Sequence, residues 1–495
     1  MANKACYEVV TAAKMPMTVF DMISAMQDKY ADRVAFRYVE GKDTVVEKTY
    51  AQYVQDIRKM TGYLQQELGN PKGKKVVILS RTNYEYGVVV FGTMMAGAVI
   101  VTLNQGKTWA ELEYELGLTE PDLILNDGID YGYRAQLEAA YGGKLRPMDV
   151  WKDAAPAELS NRIDHEGLLM LMFTSGTTGR SKGVMLSEKN YFGASQMYIN
   201  GQKVIPEIEE KLAPRYLDRV VSHFTLVPMF HLAGFICYFV YGIQGWSLNL
   251  CCDARDLRRD MSLMHSDAMS TPPVLVEMIY NEIKRGHADR LNGLWNLSCS
   301  SAILDPSILS YLVEHGVYIN QCYSMTELAG YGLLNVAQDG DHLRALGKPD
   351  GFCEVKVDET GEICVRGDCV MLGYYKDPDK DGWLHSGDLA RVDDEGYFYM
   401  TGRKKNLIIL DSGENVSPEE LEKLLGKCDA IKECIVKEMG KKIGTIVCCD
   451  DDKQQQVKDF VTELNRTLPM YKRVSVVECS KQPLPRNALG KLLRK

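Results

Sequence analysis

The sequence predicts an α/β protein built on doubly wound parallel sheets and divided into more than one domain. Three observations carry this. At 495 residues the chain exceeds what one hydrophobic core ordinarily serves. Short apolar strand-like segments alternate with helix-like ones, which is the rhythm of parallel sheets covered by helices. A loop rich in Gly, Ser and Thr, Thr174–Val184, follows directly on a charge-free apolar strand, Leu168–Phe173.

In chain order, Lys75–Leu79 reads as a strand, Tyr84–Met95 as a helix and Val99–Leu103 as a strand. Trp109–Leu116 then reads as a helix and Leu123–Leu125 as a strand. The uncharged run Gly87–Leu103 approaches the length that spans a membrane, but Gly92, Gly97 and Ala98 break it. It is better explained as a buried helix feeding a buried strand, so no transmembrane span is expected. After the loop, Ser187–Asn190 starts a helix, Val220–Leu226 and Trp246–Cys252 are strands, and Pro272-Pro273 opens a helix to Ile283. Gly361–Gly367 reads as a strand of a smaller β-rich region, and Ser417–Glu420 as the start of a late helix.

Composition narrows the partners. The chain is 45% hydrophobic and 25% charged, as soluble globular proteins are, and its net charge of −9 argues against nucleic acid. Fourteen cysteines show no CxxC pair, and the adjacent pairs Cys251-Cys252 and Cys448-Cys449 are poor disulfide partners. With no apolar leader at the N-terminus, a reduced, cytoplasmic chain is expected. Contact with a membrane surface stays open.

The loop carries the chemistry. Gly176, Gly179 and Gly183 allow tight turns and close approach to a ligand. Hydroxyls from Thr174, Ser175, Thr177, Thr178 and Ser181, with the ammonium of Lys182, suit the oxygens of a polyphosphate. It is not a Walker A loop, because Gly176 and Gly179 are too close and Gly183 follows Lys182. A loop of this composition is otherwise often only a surface turn.

Further motifs follow, each ordinary when taken alone. They are Pro228–Gly234 with His231 in an apolar setting, Tyr323–Glu327, Gly382–Asp388, Gly402–Asn406 and the tail Pro485–Lys491. A histidine among apolar residues is commonly core, an aspartate in a turn is commonly a cap, and a basic triplet or tail is commonly solvated. Their order and spacing, however, resemble the adenylate-forming superfamily of acyl- and aryl-CoA synthetases, peptide-synthetase adenylation domains and luciferases, from about Leu79 to Lys491.

That resemblance implies a large N-terminal domain of several subdomains (1–404), with doubly wound sheets and a β-rich subdomain. A small mobile α+β lid (405–495) follows. It implies activation of a carboxylic acid by ATP and transfer of the acyl group to coenzyme A, with Mg²⁺ present. By resemblance Lys491, Lys182 and His231 form the catalytic set, His231 as a positioning residue and gate. Thr174, Ser175, Gly176, Thr177, Thr178, Gly179, Tyr323, Ser324, Thr326, Asp388 and Arg403 would bind the nucleotide. Tyr323 would stack on adenine, Asp388 would take the ribose hydroxyls, and Glu327 with Thr174 would hold Mg²⁺. Lys405 would be the hinge and Gly413 would approach the pantetheine. Two departures stand out. Ser300-Ser301 replaces a glycine pair, which narrows the pocket, and Ser324 replaces another glycine. The expected substrate is a fatty acyl acid. The alternatives are an aryl acid, or a protein-borne thiol in place of coenzyme A.

Overall fold

The computed structural model describes residues 18–174, 181–201, 220–300, 304–338, 340–349, 353–377, 382–410, 415–440, 442–486 and 492. The chain divides into two compact units. One runs to Val355 and takes in Val365–Leu384; the other holds Lys356–Cys364 and His385–Lys495.

The first unit contains two large sheets. Across the seven-stranded sheet the order is Gly373–Tyr374, Lys182–Leu186, Met170–Thr174, Val99–Thr102, Lys75–Leu79, Leu123–Asn126 and Leu145–Pro147. Its five central and outer strands from Met170–Thr174 to Leu145–Pro147 pair in parallel, as the alternating pattern predicts. The helix Tyr84–Ala96 starts where the Asn83 side chain accepts the Tyr86 N–H at 2.8 Å, and it is buried along nearly its whole circumference. Gly97, at φ +80°, ends it and turns the chain into the strand Val99–Thr102. The long apolar run is therefore a helix feeding a strand. No helix among the described residues is long and apolar enough to cross a membrane.

The fold differs from the expected plan in two places, the first of them in the eight-stranded sheet. Residues 18–68 carried no assignment, yet they form the helix Val19–Asp28, the hairpin Val34–Glu40 with Thr44–Thr49, and the helix Tyr50–Leu68. The hairpin joins the sheet beside Ser247–Leu250, pairing Phe36 with Leu248. It is an edge with an irregular burial pattern, so no clean alternation marks it in the sequence. The second difference lies at the glycine-rich loop. The strands on either side of it, Met170–Thr174 and Lys182–Leu186, pair antiparallel, with Thr174 opposite Lys182. The two flanking strands are thus antiparallel neighbours, whereas a phosphate loop of the Walker type joins a strand to a helix.

The second unit holds most of a four-stranded sheet, in the order Glu354–Val357, Glu362–Arg366, Leu384–Val392 and Phe398–Arg403. It also holds a three-stranded sheet of Glu433–Met439, Lys442–Cys448 and Val476–Ser480. The helices Pro418–Leu425 and Gln454–Thr467 pack on that sheet through Leu421, Leu425, Val457 and Val461, against Val436 and Val447. By compactness the chain divides at 355/356, 364/365 and 384/385.

Candidate active site

Within the first unit, the structure brings Glu327 and Lys182 to either side of one tyrosine. The strand Tyr318–Met325 ends in a short 3₁₀ turn, Thr326–Leu328, that buries the Glu327 side chain. Tyr374 donates its hydroxyl to Glu327 Oε1 at 3.0 Å. The Lys182 ammonium lies over the Tyr374 ring, 4.5 Å from its centre. Tyr374 reaches this place because Gly373–Tyr374 pairs with Val184 and Met185 as the edge strand beside Lys182–Leu186. The backbone is pinned as well, since Met371 donates its N–H to the Glu327 carbonyl at 2.8 Å. Burial and the neighbouring Glu327 push the Tyr374 hydroxyl well above its ordinary range, so it remains a donor. A buried carboxylate with fixed partners suits a hard cation.

Tyr323 and Ser324 stand at an irregularity in the pairing of Tyr318–Met325 with Gly330–Asn335, and Tyr323 is buried. Thr326 opens the turn that carries Glu327. Thr174 is half-buried at the end of its strand.

His231 caps the helix Leu232–Gln244, with its Nδ1 accepting the Ala233 N–H at 3.3 Å. That bond places the ring hydrogen of the neutral form on Nε2. Gly234 makes the tight entry to this helix feasible, because a Cβ there would sit 2.6 Å from the Pro228 carbonyl oxygen. The aromatic residues that follow are core. Phe239 stacks on Tyr191 at 4.8 Å between centres, and Phe91 lies 5.6 Å from Phe239.

In the second unit, Asp388 and Arg403 face each other across paired strands, and Arg403 Nε donates to Asp388 Oδ1 at 2.9 Å. Lys405 lies in the turn Lys404–Asn406 that follows immediately. Ser175, Gly176, Thr177, Thr178, Gly179, Gly413 and Lys491 lie outside the described residues. Of the serines that replace the glycine pair, Ser300 ends the strand Asn296–Ser300, and Ser301 also lies outside the described residues.

Two residues escaped the sequence reading. Tyr374 sits in no motif, and only its sheet pairing brings it to Glu327. Lys107 is the other. It forms an ion pair with the fully buried Glu115 and reaches Ser181 Oγ at 3.5 Å, so it braces the C-terminal end of the glycine-rich loop. The eight-residue separation of Lys107 and Glu115 across a helix start offered a weak signal at most.

A family model described as AMP-binding enzyme matches residues 24–375. A long-chain-fatty-acid–CoA ligase of Escherichia coli O157:H7 is 27% identical over 97% of this chain and 93% of its own. A feruloyl-CoA synthase of an Amycolatopsis species is 29% identical over 90% of this chain and 92% of its own. Among solved structures, the o-succinylbenzoate coenzyme A synthetase of Bacillus subtilis in complex with ATP and magnesium ion is similar in fold, with a TM-score of 0.78. It is 22% identical, covering 96% of this chain and 98% of its own. This chain belongs to the AMP-binding enzyme family, within the adenylate-forming superfamily of ATP-dependent, AMP-forming ligases.

Proposed function

We propose that the chain joins a carboxylic acid to coenzyme A in two half-reactions. The acid attacks the α-phosphate of ATP to give an acyl-adenylate and pyrophosphate. The thiol of coenzyme A then displaces AMP. The buried Glu327 carboxylate, held by Tyr374 beside Lys182, is the observation that carries this reading. A carboxylic acid is ionised near neutral pH, so no general base is required. The obstacle is repulsion between an anion and a polyanion. Lys182 and Lys491 offset that repulsion, and Glu327 with Thr174 would hold Mg²⁺, which supplies positive charge against the phosphates when bound. Asp388 accepts from the ribose hydroxyls while Arg403 orients it. His231, locked as a helix cap, positions the carboxylate end of the substrate. Lys405 is the pivot on which the C-terminal residues exchange Lys491 for Gly413 at the site.

The acid itself is an uncharged-tail, medium-to-long acyl chain. The helix after His231, Leu232–Gln244, is buried and holds no charged residue to pair with a substrate ammonium. Burying that ammonium unpaired is costly, which disfavours amino acids. A second reading, an aryl acid, is supported by the 29% identity to a feruloyl-CoA synthase. The setting is cytoplasmic, where the thiols stay reduced; no disulfide joins the described cysteines. A panel of fatty, aryl and amino acids, scored by pyrophosphate release with and without coenzyme A, tests both levels. Turnover with fatty acids that needs coenzyme A is expected. Exchange with amino acids alone would overturn the substrate class. Turnover only with a protein-borne thiol would overturn the acceptor.

A further inference from the structure

We propose that Asp358, Cys364 and His385, in the second unit, form a binding site for a borderline-soft divalent cation of the zinc class. The site is distinct from the hard-cation site at Glu327, and the inference does not rest on the identity of the acid. The ligand atoms of the three side chains all lie within 4.8 Å of one another. Cys364 Sγ is 3.4 Å from His385 Nδ1 and 3.9 Å from Asp358 Oδ2. With Zn–S, Zn–N and Zn–O bonds of about 2.3, 2.05 and 2.0 Å, a tetrahedron sets S···N and S···O near ~3.5 Å. Both pairs are within a few tenths of an ångström of that spacing.

The carboxylate is held so that one oxygen faces the thiol. Asp358 Oδ1 accepts from the Thr360 N–H at 2.8 Å, the Thr360 hydroxyl at 2.7 Å and the Glu362 N–H at 3.0 Å. Those bonds use Oδ1 fully and leave Oδ2 turned toward Cys364. Outer partners of this kind orient a metal ligand. Cys364 is fully buried on the strand Glu362–Arg366, whereas His385 is exposed and can close inward.

The charges also balance. Glu362 borders the site, with Oε2 3.6 Å from His385 Nδ1, and it accepts from Lys404 Nζ at 2.7 Å. Two carboxylates and a Cys364 thiolate, set against one ammonium and a dication, leave the cluster neutral. On coordination the thiol releases its proton to solvent as the S–metal bond forms. A mixed S, N, O donor set selects zinc-class ions over Mg²⁺, which prefers oxygen alone. Three protein ligands leave the fourth position to water.

Co²⁺ titrated into the freshly reduced full-length protein tests this. The expected result is a thiolate-to-cobalt charge-transfer band in the near ultraviolet, saturating at one equivalent and lost on adding Zn²⁺. Cys364→Ser should abolish the band. His385→Gln, at an exposed side chain where folding is not at stake, should weaken Co²⁺ binding by about tenfold or more. Because the chain has fourteen cysteines, these controls decide the assignment. A wild-type titration in His385→Gln, an unchanged band in Cys364→Ser, or no saturable band in the wild type would overturn the site.

Discussion

Tyr374→Phe isolates one hydrogen bond in the candidate site. The phenyl ring keeps its place beneath Lys182, where the cation–ring contact is 4.5 Å, and loses only the hydroxyl that donates to Glu327 Oε1 at 3.0 Å. Hydrogen bonds to charged groups contribute about 1.5–3 kcal/mol. Glu327 is only 8% exposed, so water replaces the lost donor poorly. If the whole loss falls on the charge arrangement that receives Mg²⁺ and ATP, kcat/KM for ATP should fall roughly 10- to 150-fold, at 1.4 kcal/mol per decade. Tyr374→Leu also removes the cation–ring contact, about 0.5–1 kcal/mol at a partly exposed site, and should fall a further two- to fivefold. The assay is pyrophosphate release across a Mg²⁺ series, with thermal unfolding as a control. The Phe variant should need more Mg²⁺ for half-maximal rate. Wild-type kcat/KM and Mg²⁺ dependence in a folded Phe variant would refute the link between Tyr374 and the metal carboxylate.

Four more outcomes are expected. Gly234→Ala puts a Cβ 2.6 Å from the Pro228 carbonyl oxygen and 2.7 Å from that of Val227, so the His231 cap must shift. KM for the acid should rise at least several-fold, and an unchanged KM would show that the cap does not position the acid. His223 is fully buried, accepts from the Ser270 N–H at 3.2 Å and bonds the Tyr241 hydroxyl at 2.7 Å, and burial pushes it down to about 3 from 6.5. The unfolded chain therefore binds one more proton between those values. The contribution is complete above pH 6.5 and is lost as pH falls toward 3, at about 1.4 kcal/mol per pH unit. Urea unfolding at pH 7.5 and 5.5 should show that extra slope in the wild type and not in His223→Gln; equal slopes in both would contradict it. Lys491→Ala should cut acyl-adenylate formation by several orders of magnitude and spare thioester formation from supplied adenylate. Equal loss in both half-reactions would give Lys491 a binding or folding role instead. Lys405→Pro fixes φ near −65° at the proposed pivot, so adenylate should still form while thioester yield from pre-made adenylate fails. A torsion at 405 must also release Ser417 Oγ from the Thr401 carbonyl (2.8 Å), and normal thioester yield would place the pivot elsewhere.

Much was legible in the sequence because it is local. The strand Lys75–Leu79, the helix from Tyr84 and the helix from Pro273 follow from apolar runs, caps and prolines within a few residues of each element. The family was legible for a related reason. A phosphate-rich ligand needs glycines, hydroxyls and a cation along one short stretch, and Thr174–Lys182 holds them all. Tertiary structure decided what depends on distant pairing. Phe36 meets Leu248 only because a half-exposed hairpin completes a sheet edge, and burial on one irregular face leaves little periodic trace. Tyr374 meets Glu327 only because two residues, Gly373-Tyr374, extend the sheet beside Lys182. Lys107 braces Ser181 only because Glu115, at the far side of a helix start, is buried and demands a cation. A chain encodes such contacts through the register of whole sheets, so no short stretch of sequence displays them.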